Sequence, residues 1–312
     1  MGDRVGDYPF APASRAKLER VHHGSYLDEL AATAGTAEPV VFDDDTAARA
    51  DSYATACLAA GSAIGAVDAV FAGTATRAFS LARPPGHHAE VDRAMGFCFL
   101  NNVAIAAQHA IDAHGCQRVA IVDWDVHHGN GTQRTFARRQ DVLFVSSHQY
   151  RLFPGSGAHS DLGLGRGRGH TINLPLSVEA TDDEIYWLHR RITVPVLEAF
   201  RPDLLLISAG FDAHENDQVS GQRITARGFG RLGALLFDAA DRLCQGRTAL
   251  VLEGGYDLAG LTDSIVAVLD AALDPAPFLA EPPPAPREPL STILGRLADG
   301  LAPYWPSLRE PA

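Results

Sequence analysis

Six short, nearly continuous apolar runs recur along the chain, at 77–82 (RAFSLA), 118–123 (RVAIVD), 142–146 (VLFVS), 171–174 (TINL), 203–208 (DLLLIS) and 248–252 (TALVL). Runs of this length without polar alternation describe strands buried on both faces. Helical stretches lie between or after them, at 101–113, 131–138, 182–200 (opened by Thr181-Asp182-Asp183-Glu184), 225–243 and 257–273. The alternation predicts an α/β fold with a central, mostly parallel sheet flanked by helices. Residues 46–72 read as an Ala-rich helix entering the domain, and 275–290 (PAPFLAEPPPAPREPL) reads as a Pro-rich strap or tail. The expected organisation is a single domain over 1–274, followed by a C-terminal strap or tail over 275–312.

Of the 312 residues, 46% are hydrophobic, enough for one large core. The net charge of −12 (26 basic against 38 acidic) argues against a nucleic-acid partner, whose phosphates call for clustered Lys and Arg. It suits a cationic small molecule or a basic peptide. Cys57, Cys98, Cys116 and Cys244 form no C-x-x-C pair, which favours free thiols in a reducing compartment and a cytoplasmic location. The N-terminal stretch has acids and prolines where a signal peptide needs an apolar core. The longest apolar runs are strand-length, short of the ~20 residues of a membrane helix, so no membrane association is expected. The sequence leaves the oligomeric state open.

Five polar clusters fall at or just beyond predicted strand ends: Arg83-Pro-Pro-Gly-His87-His88, Asp123-Trp-Asp125-Val-His127-His128-Gly-Asn130, Ser146-Ser147-His148, Gly210-Phe-Asp212 and Glu253-Gly-Gly-Tyr256. The carboxyl edge is where parallel sheets bind ligands. Asp125 and His127 alternate on an extended segment, so both can face one ion, and Asp212 arrives from another strand end. Two carboxylates and one imidazole leave a coordination position open, as in catalytic rather than structural sites. Zn²⁺ fits, and so would Fe²⁺ or Mn²⁺. His87 and His88 offer the acid and base that hydrolysis needs. Asp123 and Asn130 are candidates to orient them, one anionic and one neutral, which would set their pKa values apart. Tyr256 is placed to donate to a developing oxyanion. Phe97, next to Gly96, and Phe153 sit on loops where two phenyl faces can line a narrow tunnel. The other histidines (His22, His23, His109, His114, His148, His159, His170, His189 and His214) lack ligand-like company and read as structural or solvated.

At these residues the chain resembles the histone deacetylase superfamily, particularly its bacterial class II-like amidohydrolases and acetylpolyamine relatives. The strings that carry the resemblance are RPPGHHAEVDRAMGFCFLNN, VDWDVHHGNGTQ, SAGFDAH and EGGY, in family order between about Arg20 and Leu273. The resemblance implies an arginase-like fold and zinc-dependent hydrolysis of an acyl-amide. By motif it implies Asp125, His127 and Asp212 as zinc ligands, His88 as general base and acid, and His87 as its electrostatic partner. Asp123 then holds His87, Asn130 holds His88, and Tyr256 polarises the scissile carbonyl. Phe97 and Phe153 wall an acyl-lysine tunnel beside Gly96, and one of Asp43, Asp44 and Asp45 holds the substrate backbone. A structural K⁺ is implied against Asp123, Asp125, His127, Ser146 and Ser147. Family members carry an earlier strand and an H-P-E-x-P loop ahead of the Val21-His22 region. That segment is missing here, which implies either a late start of the sequence or an active-site rim open on one side.

The resulting expectation is a zinc-dependent deacylase acting on acyl-lysine in a peptide or protein, or on a similar small N-acyl amine. Acetylpolyamine hydrolysis is the nearest alternative, and the apolar Val219, where polyamine-selective relatives place an acid, counts against it. A metal-binding scaffold without turnover is the non-enzymatic alternative. An arginase-type dimanganese hydrolase would need a second carboxylate-rich position, and here Asp212-Ala-His214 is followed by Glu215-Asn216.

Overall fold

The computed structural model describes residues 4–280 and 283–309. Near the N-terminus, α1 (Arg15–Leu18) and α2 (Gly24–Ala32) precede a small antiparallel pair, β1 (Val40–Val41) with β2 (Ala47–Ala48). The main sheet holds β3 (Arg77–Ser80), β4 (Val119–Asp123), β5 (Val142–Gln149), β6 (Thr171–Leu176), β7 (Leu204–Ala209) and β8 (Thr248–Leu252). Its order is β3-β8-β7-β4-β5-β6, and all pairs are parallel. From β4 the chain winds outward through β5 and β6, then returns to β7 on the other side of β4. A crevice opens at such a reversal, outside the strands' carboxyl ends. Here it falls between Asp123 and its register partner Ser208.

Alternate strand residues feed two cores, because successive side chains point to opposite faces. On one face Val119, Ile121, Phe144, Leu204 and Leu206 pack with α3 (Ser52–Phe71) and α4 (Asn102–His114). On the other, Ala120, Val122, Val145, Leu205 and Ile207 pack with α6 (Asp182–Leu188), α7 (Val194–Phe200), α8 (Ala226–Cys244) and α9 (Leu258–Leu273). The short α5 (Asn130–Phe136) follows the site-bearing turn after β4.

The structure departs from the sequence reading in four places. The Ala-rich helix starts at Ser52, not residue 46, because Ala47–Ala48 pairs with Val40–Val41 and a turn closes with Phe42 N donating to Thr46 O (2.8 Å). That helix, α3, is 20 residues long with a mean hydropathy of 1.6, so length and apolarity would let it cross a membrane, contrary to the sequence expectation. Its apolarity is accounted for by burial, since 67% of that window lies inside the protein. The helix expected over 182–200 starts with a capping box between Thr181 and Glu184, but a π-helical turn at His189–Thr193 divides it. Finally, β5 runs three residues past the predicted end to Gln149, paired with β6 from Phe144 onward, so Ser146, Ser147 and His148 lie within the strand.

After α10 (Ala276–Leu279), helix α11 (Leu290–Leu301) turns Leu290, Leu294, Leu297 and Leu301 inward onto the core of the α6–α9 face. Trp305 follows, its indole donating to Gly169 O at 2.7 Å. This spacing of three and four residues is one stripe of a helix. Leu297→Ala, which opens a cavity under that stripe, is expected to lower the unfolding free energy by about 2 kcal/mol in a denaturant titration.

Candidate active site

Asp125 and Asp212 follow β4 and β7, the two strands flanking the crevice, and both are fully buried. His127 Nδ1 lies 3.1 Å from Asp125 Oδ1 and 3.1 Å from Asp212 Oδ2. One donor atom from each residue falls within 4.8 Å of the other two. The remaining carboxylate oxygens are held by backbone: Asp125 Oδ2 accepts from Gly254 N (2.8 Å) and Asp212 Oδ1 from Val126 N (3.0 Å). A Cβ at Gly254 would sit 2.0 Å from Asp212 Oδ2, so only glycine lets the backbone come this close. Burial, then the charge of Asp125, raises Asp212 to about 6. Burial opposes charge on His127, yet Asp212 and Asp125 outweigh it and raise the imidazole to about 11. Two buried carboxylates this close are costly unless positive charge lies among them. The donor set therefore fits a divalent cation.

His87 and His88 enter from the turn after β3, their ring centroids 4.0 Å apart. His87 Nδ1 donates to Asp123 Oδ2 at 2.9 Å, and its Nε2 is 3.8 Å from Asp125 Oδ1. Burial disfavours its charge, but Asp123 and Asp125 override that and raise it to about 10. His88 meets a neutral partner. Asn130 turns its Nδ2 to Glu90 Oε1 (3.0 Å), which leaves Oδ1 facing His88 Nδ1 at 2.8 Å. His88 therefore carries its proton on Nδ1 and keeps the Nε2 lone pair free. Burial, then the adjacent His87 charge, pushes His88 well below the ordinary histidine value. The pair is divided into one cationic and one neutral imidazole.

Several positioning groups had no assigned role in the sequence reading. Glu253, fully buried, accepts from Gly86 N (2.6 Å), His87 N (3.1 Å) and Ser208 Oγ (2.9 Å), which ties the histidine turn to β7 and β8. Asp217 accepts from Tyr256 N (2.6 Å) and Asp257 N (3.0 Å), fixing the loop that presents the tyrosine. Arg83 donates to Gly255 O (2.7 Å), and its guanidinium lies 5.4 Å from the Tyr256 ring centroid. Glu253 stood inside the EGGY string, but the oxygen-to-amide contacts that give it a role join residues far apart in sequence. Burial, then Asp212 and Asp125, raises the Tyr256 phenol above its ordinary value and keeps it protonated.

Phe97 and Phe153 are both exposed at the rim. Phe153 meets His88 edge-on at 5.0 Å, and Phe97 meets Tyr256 at 6.0 Å. Gly96 and Phe97 both have left-handed backbones, with φ of 56° and 64°. That is unusual for a bulky residue. The β1–β2 hairpin holds it: Gly96 N donates to Asp43 Oδ2 (3.2 Å) and Phe97 N to Thr46 Oγ1 (2.9 Å). A Cβ on Gly96 would come within 2.4 Å of His88 and 2.8 Å of Phe153. Asp43, one of three aspartates considered for a substrate contact, thus accepts from the chain's own Gly96 amide, while Asp44 is exposed.

Asp123 and Ser146 are register partners on β4 and β5. Ser147 Oγ donates to Asp123 O (3.4 Å), and His189 of the π-turn pairs with Ser147 Oγ (3.0 Å). Ser146 Oγ pairs with His148 Nδ1 (3.0 Å). Two histidines set aside in the sequence reading do have a ligand-like neighbour. His109 and His114 both place Nε2 2.7 Å from Asp68 Oδ1, a contact that links helices and leaves no local trace in sequence.

A sequence profile described as the histone deacetylase domain matches residues 2–272. A histone deacetylase-like amidohydrolase of Pseudomonas aeruginosa is 44% identical over 260 residues, covering 83% of this chain and 68% of that protein. The chloroplastic histone deacetylase 10 of Oryza sativa subsp. japonica is 38% identical over 288 residues, covering 89% and 64%. The solved HD domain of HDA15 superposes with a TM-score of 0.87 at 35% identity, covering 96% of this chain and 83% of that one. The fold is that of the α/β histone deacetylase domain, and the chain belongs to the histone deacetylase family. It spans about two thirds of the length of the two curated relatives.

Adding a divalent cation to chelator-treated protein should raise its stability, because only the folded chain assembles the donors. Saturation to one hundred times Kd corresponds to about 2.7 kcal/mol. Differential scanning fluorimetry should show the increment from this site lost in Asp212→Asn.

Proposed function

We propose that the protein is a zinc-dependent amidohydrolase that removes an acyl group, foremost acetyl, from acyl-lysine or a similar small N-acyl amine. The observation that carries this reading is the divided histidine pair beside three convergent metal donors. Asp125, His127 and Asp212 would hold Zn²⁺, with Fe²⁺ the alternative for the same donors. When bound, the ion supplies Lewis acidity toward an acyl carbonyl and makes water more acidic.

The chain's own groups supply the proton transfers. His88 accepts a proton from the attacking water at Nε2, the nitrogen that Asn130 leaves free. It returns that proton to the departing nitrogen as the C–N bond breaks, giving a carboxylic acid and an amine. His87, cationic against Asp123, faces the negative charge that develops between these steps. Tyr256, protonated, donates to the oxyanion. Phe97 and Phe153 flank the acyl-bearing chain, with Gly96 keeping the passage clear of a side chain. We assign a structural K⁺ to the oxygens around the Asp123–Ser146 pair, with Asp125, His127 and Ser147 completing the set. Free buried cysteines accord with a reducing, cytoplasmic setting.

Acetate release from a fluorogenic acetyl-lysine peptide tests the reading. Turnover should fall about 10²- to 10⁴-fold in His88→Ala and vanish on chelation; full activity in Asp125→Ala would overturn the assignment. Zinc binding without any turnover would favour a scaffold. The peptide should outperform acetylputrescine, because Val219 brings no carboxylate to the exposed rim. Asn130→Asp replaces a neutral partner of His88 with an anion and so raises the histidine's pKa. The base then stays protonated to higher pH, and the acid limb of the rate profile should move upward in pH.

A further inference from the structure

Where α3 and α4 pack together, Asp68, His109 and His114 converge. Both imidazoles direct Nε2 at the same oxygen, Asp68 Oδ1, each at 2.7 Å. Among the described residues, only this group and Asp125–His127–Asp212 bring three such donors within 4.8 Å of one another. We propose that Asp68, His109 and His114 form a second metal site, which takes one Zn²⁺ and pins α3 to α4.

Two imidazoles and one carboxylate are borderline donors suited to zinc, and the three leave a position for solvent. At Zn–N and Zn–O distances near 2.0–2.1 Å, tetrahedral donors stand about 3.3 Å apart, so the present contacts need open by only about 0.6 Å. Each neutral ring would then carry its proton on Nδ1 and turn the Nε2 lone pair to the ion. The donors are held in advance. His114 stacks on Phe71 at 4.4 Å with 10° between planes, and Arg247 covers that phenyl ring at 5.3 Å. His114 is the last residue of α4, where left-handed Gly115 turns the chain away. His109 is mostly buried between the helices, and its burial, against Asp68 and with Lys17, keeps it below the ordinary histidine value. A mere surface ion pair would not require two aromatic donors aimed at one oxygen, and would contribute little. The site lies outside the groups assigned to turnover, and the inference does not rest on the proposed reaction.

The test is zinc per chain after stripping, dialysis against Zn²⁺ at pH 7.5 and removal of loosely held ion with a weak competitor. Native protein should hold one zinc more per chain than His109→Gln/His114→Gln, with acetyl-lysine turnover unchanged. Asp68→Asn, a conservative surface change, should lose the same equivalent and serves if the double variant does not fold. Asp125→Ala should lose the other equivalent and keep this one, which separates the two sites. Co²⁺ in place of Zn²⁺ should give visible absorption that falls in the histidine variants. Equal zinc content in native protein and Asp68→Asn would overturn the proposal, whatever the activity.

Discussion

Two buried carboxylates side by side, Asp125 and Asp212, are the constraint around which the rest of this protein is arranged. In a low-dielectric interior such a pair is unstable unless positive charge or strong donors surround it. The fold supplies these from several strands. Gly254 and Val126 donate backbone amides, His127 bridges the two acids, and His87 brings a cation to Asp125 from the turn after β3. The reversal of strand order beside β4 makes this possible, since it brings loops distant in sequence to one spot. The cost of burial is met by geometry that also leaves a donor set facing an opening.

The histidine pair shows how one neighbour sets chemical character. His87 and His88 are adjacent in sequence and nearly stacked in space, yet Asp123 makes one cationic while Asn130 leaves the other neutral. Glu253 keeps both in place by receiving the amides of their turn. Each partner sets the charge of the ring it holds.

Much of this was legible in the sequence because a strand buried on both faces has no polar alternation, and five polar clusters stood at or near such runs. The parallel sheet and the grouping of Asp125, His127 and Asp212 followed from that pattern. What escaped it depends on contacts that leave no local periodicity. Ala47 and Ala48 look helical by composition, but pairing across a hairpin overrides propensity. The π-turn that lets His189 reach Ser147 is hidden within a uniform helical stretch. Asp68 meets His109 and His114 only because α3 and α4 lie side by side, and the Pro-rich C-terminal segment gave no sign of how firmly α11 seats its leucines.

The small β1–β2 hairpin bears on the rim in a way its size conceals. Through Asp43 and Thr46 it fixes the left-handed backbone of Gly96 and Phe97, while His87, His88 and the three convergent donors hang from the main sheet. The shape of the entrance and the chemistry beneath it are therefore inherited through different parts of the chain. Under the proposed function, substitutions in this short surface turn retune which acyl chains are admitted without touching His87, His88 or the three convergent donors, so that selectivity can drift among descendants of this protein faster than the reaction itself.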